Sequence, residues 1–423
     1  MNKENDLKVH LLDPARPPVV LLGGINLVRT LGLAGLQAIV ASSDPAEPAL
    51  ASRYCTAGWR LPPADQHDAR LESLVSLGDR LACFYGRRIP LMYGSDDALE
   101  LIYAHRERLE RYYLLSLSDR DVAENLIAKD RFQAFAGERG LPVPRALAWE
   151  GDGPGSLRAA TGPVVAKPRR KVDWHHSPLC HRLFNGDGKA RVFGSGAEAA
   201  AHPVAAMYHE QLAFQEYIPG DDRELWSYHG LAGEDGEVLL DFVGRKVRTY
   251  PAGNGESAFI ELAHDEGLLR AGRDVARRCP LRGVFKMDFK RDPRDGRWYL
   301  LEVNARYTLW HYLGAMNGVN LMKASYDHLV HGARPTAATY GTRYRWLSLA
   351  LDFKAYREMA SRGELSLPRW IASLALSRNI YNVFSWRDPG PWWNHWSSRV
   401  ARVARRAPDR MASLLRQWRS TAS

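Results

Sequence analysis

The stretch that most constrains this chain is Phe285-Lys-Met-Asp288-Phe-Lys290, followed by a polar turn and then Trp298-Tyr-Leu-Leu-Glu302-Val-Asn304-Ala-Arg306. Two apolar-rich strands separated by Asp295-Gly296 read as a β-hairpin. A three-residue loop of Arg294, Asp295 and Gly296, with Gly296 left-handed, closes it. Pairing symmetric about Asp295 sets Asp288 opposite Glu302. Strand alternation then puts Glu302 and Asn304 on one face, with Leu301 and Val303 on the other. Two carboxylates and one amide oxygen converge on a single patch. Hard oxygen ligands of this kind suit Mg²⁺, which keeps waters and phosphate oxygens in its other positions. The plain alternative is a solvent-facing hairpin. Against it stand the apolar company of Glu302 and Asn304 and the presence of Arg306, whose guanidinium can grip a phosphoryl group with two parallel bonds.

Around this hairpin the chain reads as a multi-domain α/β protein. Its 423 residues exceed one ordinary domain, and 45% hydrophobic with 25% charged residues is a globular balance. Val19-Val20-Leu21-Leu22 running into Gly23-Gly24, a helical stretch over 26–36 and a short strand at 38–41 open an open parallel sheet. An amphipathic helical segment over 119–139 stops at Gly140, ahead of Pro142 and Pro144. Strands follow at Val164-Val165-Ala166-Lys167 and over 212–218, 225–231, 238–247 and 283–290. The four cysteines are scattered without a CxxC pair, which argues against a disulfide framework or a structural zinc site. No secretory signal and no apolar run of membrane-spanning length is visible, so the expected location is the cytoplasm.

In its order of motifs the chain resembles the ATP-grasp superfamily over roughly residues 19–335. The Glu302-x-Asn304-x-Arg306 run after an Asp-bearing strand is similar to that family's metal hairpin. The resemblance implies Asp288, Glu302 and Asn304 as metal ligands, with Mg²⁺, or Mn²⁺ in its place, as the metal. It implies Lys129 and Lys167 as the two nucleotide lysines. Glu216, Tyr217 and Ile218 would form the hinge that reads adenine, and Glu224 would bond the ribose hydroxyls. The fold it implies is an α/β ATP-grasp architecture: an N-terminal open parallel-sheet domain over 1–118, a small lobe over 119–205, a large lobe with the metal hairpin over 206–338, and a helical C-terminal extension over 339–423. The activity it implies is ATP-dependent ligation of a carboxylate to an amine (or thiol) through an acyl phosphate, releasing ADP and phosphate. N-carboxylation through carboxyphosphate is the alternative within the superfamily. An ATP-sensing protein that binds a membrane or a partner is the alternative outside enzymes.

Several segments depart from that pattern or refine it. Where a glycine-rich lid would follow Lys167, a long basic stretch intervenes with His175, His176, Cys180 and His181. It reads as a solvated loop or as a recognition loop for an acidic ligand; a metal site from these four side chains is the third reading, disfavoured because His-His-x-x-x-Cys-His is not an established zinc spacing. Gly244-Arg245-Lys246-Val-Arg248-Thr-Tyr250-Pro251 resembles a segment of amino-acid ligases, D-aspartate ligase-type members included. There Lys246 and Arg248, with Arg306, would face the transferred phosphoryl group and the substrate if aimed inward; aimed outward, the arginines of this segment would only keep the sheet edge soluble. His311 reads either as a base on the incoming amine or as a packed core histidine. The net charge of +10 is concentrated at the C-terminus, where eight arginines from Arg387 onward meet two aspartates. Trp393, Trp396, Val400, Val403 and Ala407 recur at helical spacing with Arg399, Arg402 and Arg406 on other faces. Such a helix packs on the protein itself, lies on a membrane surface or docks a protein partner. No nucleic-acid module is recognisable.

Overall fold

The structure is a computed structural model that describes residues 7–127, 129–151, 153, 155–169, 178–184, 190–253, 255–336 and 339–397. The chain divides into two units. One comprises Met1–Tyr93, His105–Tyr113 and Val383–Ser423; the other comprises Gly94–Ala104 and Leu114–Asn382.

In the first unit β1 (Val19–Leu22), β2 (Ala38–Ser42), β3 (Ala57–Arg60), β4 (Ile89–Tyr93) and β5 (Tyr113–Leu114) form a sheet in the order β3-β2-β1-β4-β5. The β1–β2, β1–β4 and β2–β3 pairs are parallel. Parallel neighbours need crossovers, and the helices Ile25–Leu33 and His67–Tyr85 supply them. Every residue of β1 and β4 is buried, which is why both read as uninterrupted apolar runs. The returning segment from Val383 is tied to this unit by Asp388. Its buried carboxylate accepts from Arg29 Nε at 2.9 Å, Ser52 Oγ at 2.8 Å and the Arg53 N–H at 2.8 Å.

The second unit holds two sheets. β6 (Ala146–Leu147), β7 (Val164–Pro168), β8 (Arg191–Phe193) and β9 (Leu212–Glu216) pair antiparallel in the order β6-β9-β7-β8. The larger sheet comprises β10 (Leu225–Ala232), β11 (Val238–Tyr250), β12 (Glu256–Ala263), β13 (Gly283–Arg291), β14 (Trp298–Asn304), β15 (Tyr344–Leu347) and β16 (Arg378–Tyr381). Its order is β14-β13-β10-β11-β12-β15-β16. The stretch expected to be a helical extension thus also contributes two strands, β15 on β12 and β16 parallel to β15, alongside the helices Leu349–Ser361 and Leu367–Ala375.

Period-two alternation divides the larger sheet into two chemically different faces. Tyr228, Val243, Met287, Phe289 and Val303 lie on one. They form a common core with Val122, Leu126, Phe132, Phe135, Leu268 and Val275 from three helices. Each such fully buried apolar side chain contributes about 1.5–3 kcal/mol. The opposite face carries Ser227, His229, Phe242, Gly244, Lys286, Asp288, Lys290, Glu302 and Asn304 in cross-strand register. Trp310, on the helix Trp310–Met316, covers part of it. A Cβ on Gly244 would lie 2.6 Å from the Trp310 ring and 2.5 Å from the Glu261 carbonyl oxygen, so only glycine permits this approach.

Candidate active site

The polar face is built on the hairpin β13–β14. Asp288 pairs directly with Glu302, Met287 with Val303 and Lys286 with Asn304. Directly opposed side chains start about 5 Å apart at Cβ, so the two carboxylates are neighbours. The route to this register differs from the sequence expectation. The loop spans four residues, 293–296, closed by Asp292 and Arg297, with Gly296 at φ +75°. Phe289 then pairs with Leu300, and a one-residue irregularity at Leu301 restores the Asp288–Glu302 pairing. Leu300, not Leu301, is the buried partner of Val303 on the core face.

Asp288 is the electrostatic centre of the face. Lys286 Nζ donates to its Oδ2 at 2.6 Å, and Ser227 Oγ donates to its Oδ1 at 2.5 Å. Burial alone would raise the Asp288 carboxyl. The charges of Lys246 and Lys286, with the hydrogen bonds from Lys286 and Ser227, outweigh it and hold the group below the usual carboxylate range. Burial also pushes the Lys286 ammonium down, with the Asp288 charge pulling the other way. Sequence reasoning passed over both residues. Lys286 was visible in principle, because Lys286-x-Asp288-x-Lys290 places three charges on one strand face. Ser227 has no local signal, since only the β10–β13 register brings it to Asp288.

Arg306 lies at the exit of β14. Its guanidinium forms an ion pair with Asp96, and Nη2 donates to the Asn304 amide oxygen at 3.3 Å. Nη1 reaches the Gly94 carbonyl at 3.4 Å. Asp96 is a partner no spacing argument could supply.

At the other end of β13, Lys290 joins the hairpin to Tyr217, just beyond β9. Its Nζ is 3.4 Å from Tyr217 Oη and 4.5 Å from the ring centroid. Burial pushes Lys290 down to about 8, against the pull of Asp222, Asp221, Glu224 and Asp292. Glu216 ends β9 and lies 3.6 Å from Arg145 Nε; Ile218 is buried, and Glu224 is half-buried in the turn Asp222–Glu224. Asp222 fastens this turn to β11 and the loop beyond it. It accepts from the Thr249 N–H at 2.7 Å, Thr249 Oγ1 at 2.9 Å and the Gly253 N–H at 2.8 Å.

Not every expected residue reaches this face. Lys246 remains near enough to act on Asp288. Arg248 does not join it, because register irregularities on either side set it opposite Phe259. There it makes a bidentate pair with Asp352 at 2.7 and 3.0 Å, both side chains buried. Lys167 is half-buried on β7. Lys129 opens the helix Lys129–Glu138, and its side chain lies outside the described residues. His175 and His176 of the basic loop lie outside them too, as do Val400, Val403, Ala407 and Arg399, Arg402 and Arg406 of the expected tail helix. Trp393 and Trp396 are described and are 64% and 49% exposed. No described helix is long and apolar enough to cross a membrane.

His311 is fully buried, its Nδ1 accepting the Thr308 N–H at 2.7 Å and its ring edge-on to His229 with centroids 5.7 Å apart. Burial pushes it down to about 4. This is the packed-histidine arrangement.

The donor set fits a hard divalent cation. Among the described residues no three His, Cys, Asp or Glu side chains gather into a closed metal cage. Two carboxylates and an amide leave the remaining positions of an octahedral shell to water and phosphate oxygens, as magnesium prefers. The ammonium of Lys286 on Asp288 marks the spot as one that takes positive charge.

No protein-family model matches the chain. By sequence it is similar to the D-aspartate ligase of Enterococcus faecium (strain Aus0004), 25% identical over 292 residues that cover 67% of this chain and 68% of that protein. By structure it is similar to the biotin carboxylase of Campylobacter jejuni solved as its β-γ-ATP complex. The TM-score is 0.54 and the identity 14%, over 78% of this chain and 74% of that one. It is also similar to the L-amino acid ligase of Bacillus licheniformis, with TM-score 0.51 and 15% identity over 75% and 74% of the two chains. The chain has the ATP-grasp fold, and its sequence likeness is to a D-aspartate ligase.

Proposed function

We propose that this protein is an ATP-dependent carboxylate–amine ligase that works through an acyl phosphate. The observation that carries the reading is the cross-strand pair of Asp288 and Glu302 beside Asn304, with cationic side chains around it. Asp288, Glu302 and Asn304 would hold magnesium, which supplies charge neutralisation for the phosphate oxygens. Lys129 and Lys167 would bind the triphosphate, Glu216, Tyr217 and Ile218 the adenine, and Glu224 the ribose. Lys246 and Arg306 would stabilise charge developing on the transferred phosphoryl group.

The chemistry follows from the charges. A substrate carboxylate oxygen attacks the γ-phosphorus and ADP leaves with the bond electrons. The resulting mixed anhydride has a carbonyl carbon open to attack. An amine nitrogen adds there, loses a proton, and phosphate departs to leave an amide. Similarity to a D-aspartate ligase favours an amino acid as one substrate and ranks this above N-carboxylation.

The test is release of ADP and phosphate from Mg-ATP with pairs of amino acids and small acids, D- and L-aspartate among them. Glu302→Gln keeps the shape but removes a ligand charge. Substrate-stimulated ADP formation is expected to fall about 100-fold or more. An unchanged rate removes Glu302 from the site.

A further inference from the structure

Lys286, on the polar face, has no task in the chemistry above. Lys286 bonds Asp288 Oδ2 at 2.6 Å, pairs across the strands with Asn304 on β14 and His229 on β10, and feels the charges of Glu302 and Lys246. The Lys286 and Asp288 side chains are only 12% and 11% exposed, so neither exchanges this contact for bulk water. The ammonium therefore occupies an oxygen of the carboxylate that the reading above gives to a metal ion. A divalent cation and an ammonium repel each other, and both cannot hold one buried carboxylate oxygen at closest range.

We propose that Lys286 is the resident counter-ion of the ligand-free site, holding Asp288 until metal and nucleotide arrive together and then turning from the carboxylate to a phosphate oxygen. The inference rests on the reading of Asp288, Glu302 and Asn304 as the metal set. Its physical content is a coupling. A metal ion alone must expel Lys286 from a buried carboxylate and leaves the ammonium without a partner. Metal with nucleotide brings anionic oxygens that accept the displaced ammonium. Lys286 thus opposes binding of the free metal and favours binding of the metal–nucleotide complex.

That opposition of sign separates a counter-ion from a structural lysine. Binding of Mn²⁺ alone, followed by paramagnetic resonance, and binding of MgADP, followed by calorimetry, are to be measured on the full chain for wild type, Lys286→Met and Lys286→Arg. The Met variant is expected to bind Mn²⁺ alone about tenfold more tightly than wild type and MgADP about tenfold more weakly. The Arg variant retains the cation and stays near wild type in both. Weakening of both ligands in Lys286→Met, or no change in either, overturns the proposal. If that variant does not fold, Lys286→Gln carries the same sign test. Failure of wild type to bind MgADP would count against the ligase reading, whereas the Mn²⁺ comparison still judges Lys286.

Discussion

Single residues on and over the polar face are set by what surrounds them rather than by their own type. His311 illustrates this best. Its sequence context, Arg306-Tyr-Thr308-Leu-Trp310-His311, favours a packed core residue over a base but does not decide between them, because nothing local fixes burial. The structure encloses it between His229, Tyr307 and Phe242, and burial takes its imidazole down to about 4. An unfolded histidine titrates near ~6.5. As pH falls, the unfolded chain binds the proton first, so stability present above pH ~6.5 is lost progressively toward pH ~4. Between pH 7.5 and 5.5 wild type is expected to lose about 1 kcal/mol more stability to urea than His311→Asn, whose amide oxygen can still accept the Thr308 N–H. Parallel losses in the two proteins would mean that His311 takes up a proton in the folded state over that range.

At the scale of elements, the hairpin was legible and the sheet edge was not. The Asp288–Glu302 pairing follows from alternation and a turn signal. It holds because a loop one residue longer than expected is offset by the irregularity at Leu301. Two deviations cancel, which no single-sequence argument could foresee. On β11 there is no such cancellation at Arg248. Period two from Lys246 would keep Arg248 on the same face, but the irregularity between them sends it to Asp352, which lies 104 residues on in the helix Leu349–Ser361 and also accepts from Trp370 Nε1 at 2.8 Å. Removing one member of such a buried pair leaves the other charge stranded. Arg248→Met is expected to cost about 3–5 kcal/mol of stability, read as a lowered unfolding midpoint, while the folded variant binds MgADP within about twofold of wild type. A variant of normal stability with nucleotide binding weakened tenfold would return Arg248 to the phosphate set.

At the scale of the whole molecule, the order of segments was readable because each strand of the larger sheet carries its own apolar pattern. What escaped was the long-range traffic. The residues from Val383 belong to the unit of the N-terminal sheet, fastened by Asp388 to Arg29, Ser52 and Arg53, and β15 and β16 extend the sheet that contains the β13–β14 hairpin. Partners more than 300 residues apart leave no periodicity to read. The central claim is that oxygen ligands on β13 and β14 make nucleotide binding depend on a divalent cation. Calorimetric titration of ADP into the full chain, with magnesium and then with magnesium chelated, addresses it most directly. Binding that weakens about tenfold or more on chelation, and a dependence on magnesium that vanishes in Glu302→Gln, is the expected result. Equal binding with and without magnesium, or a magnesium dependence untouched by the substitution, would contradict it.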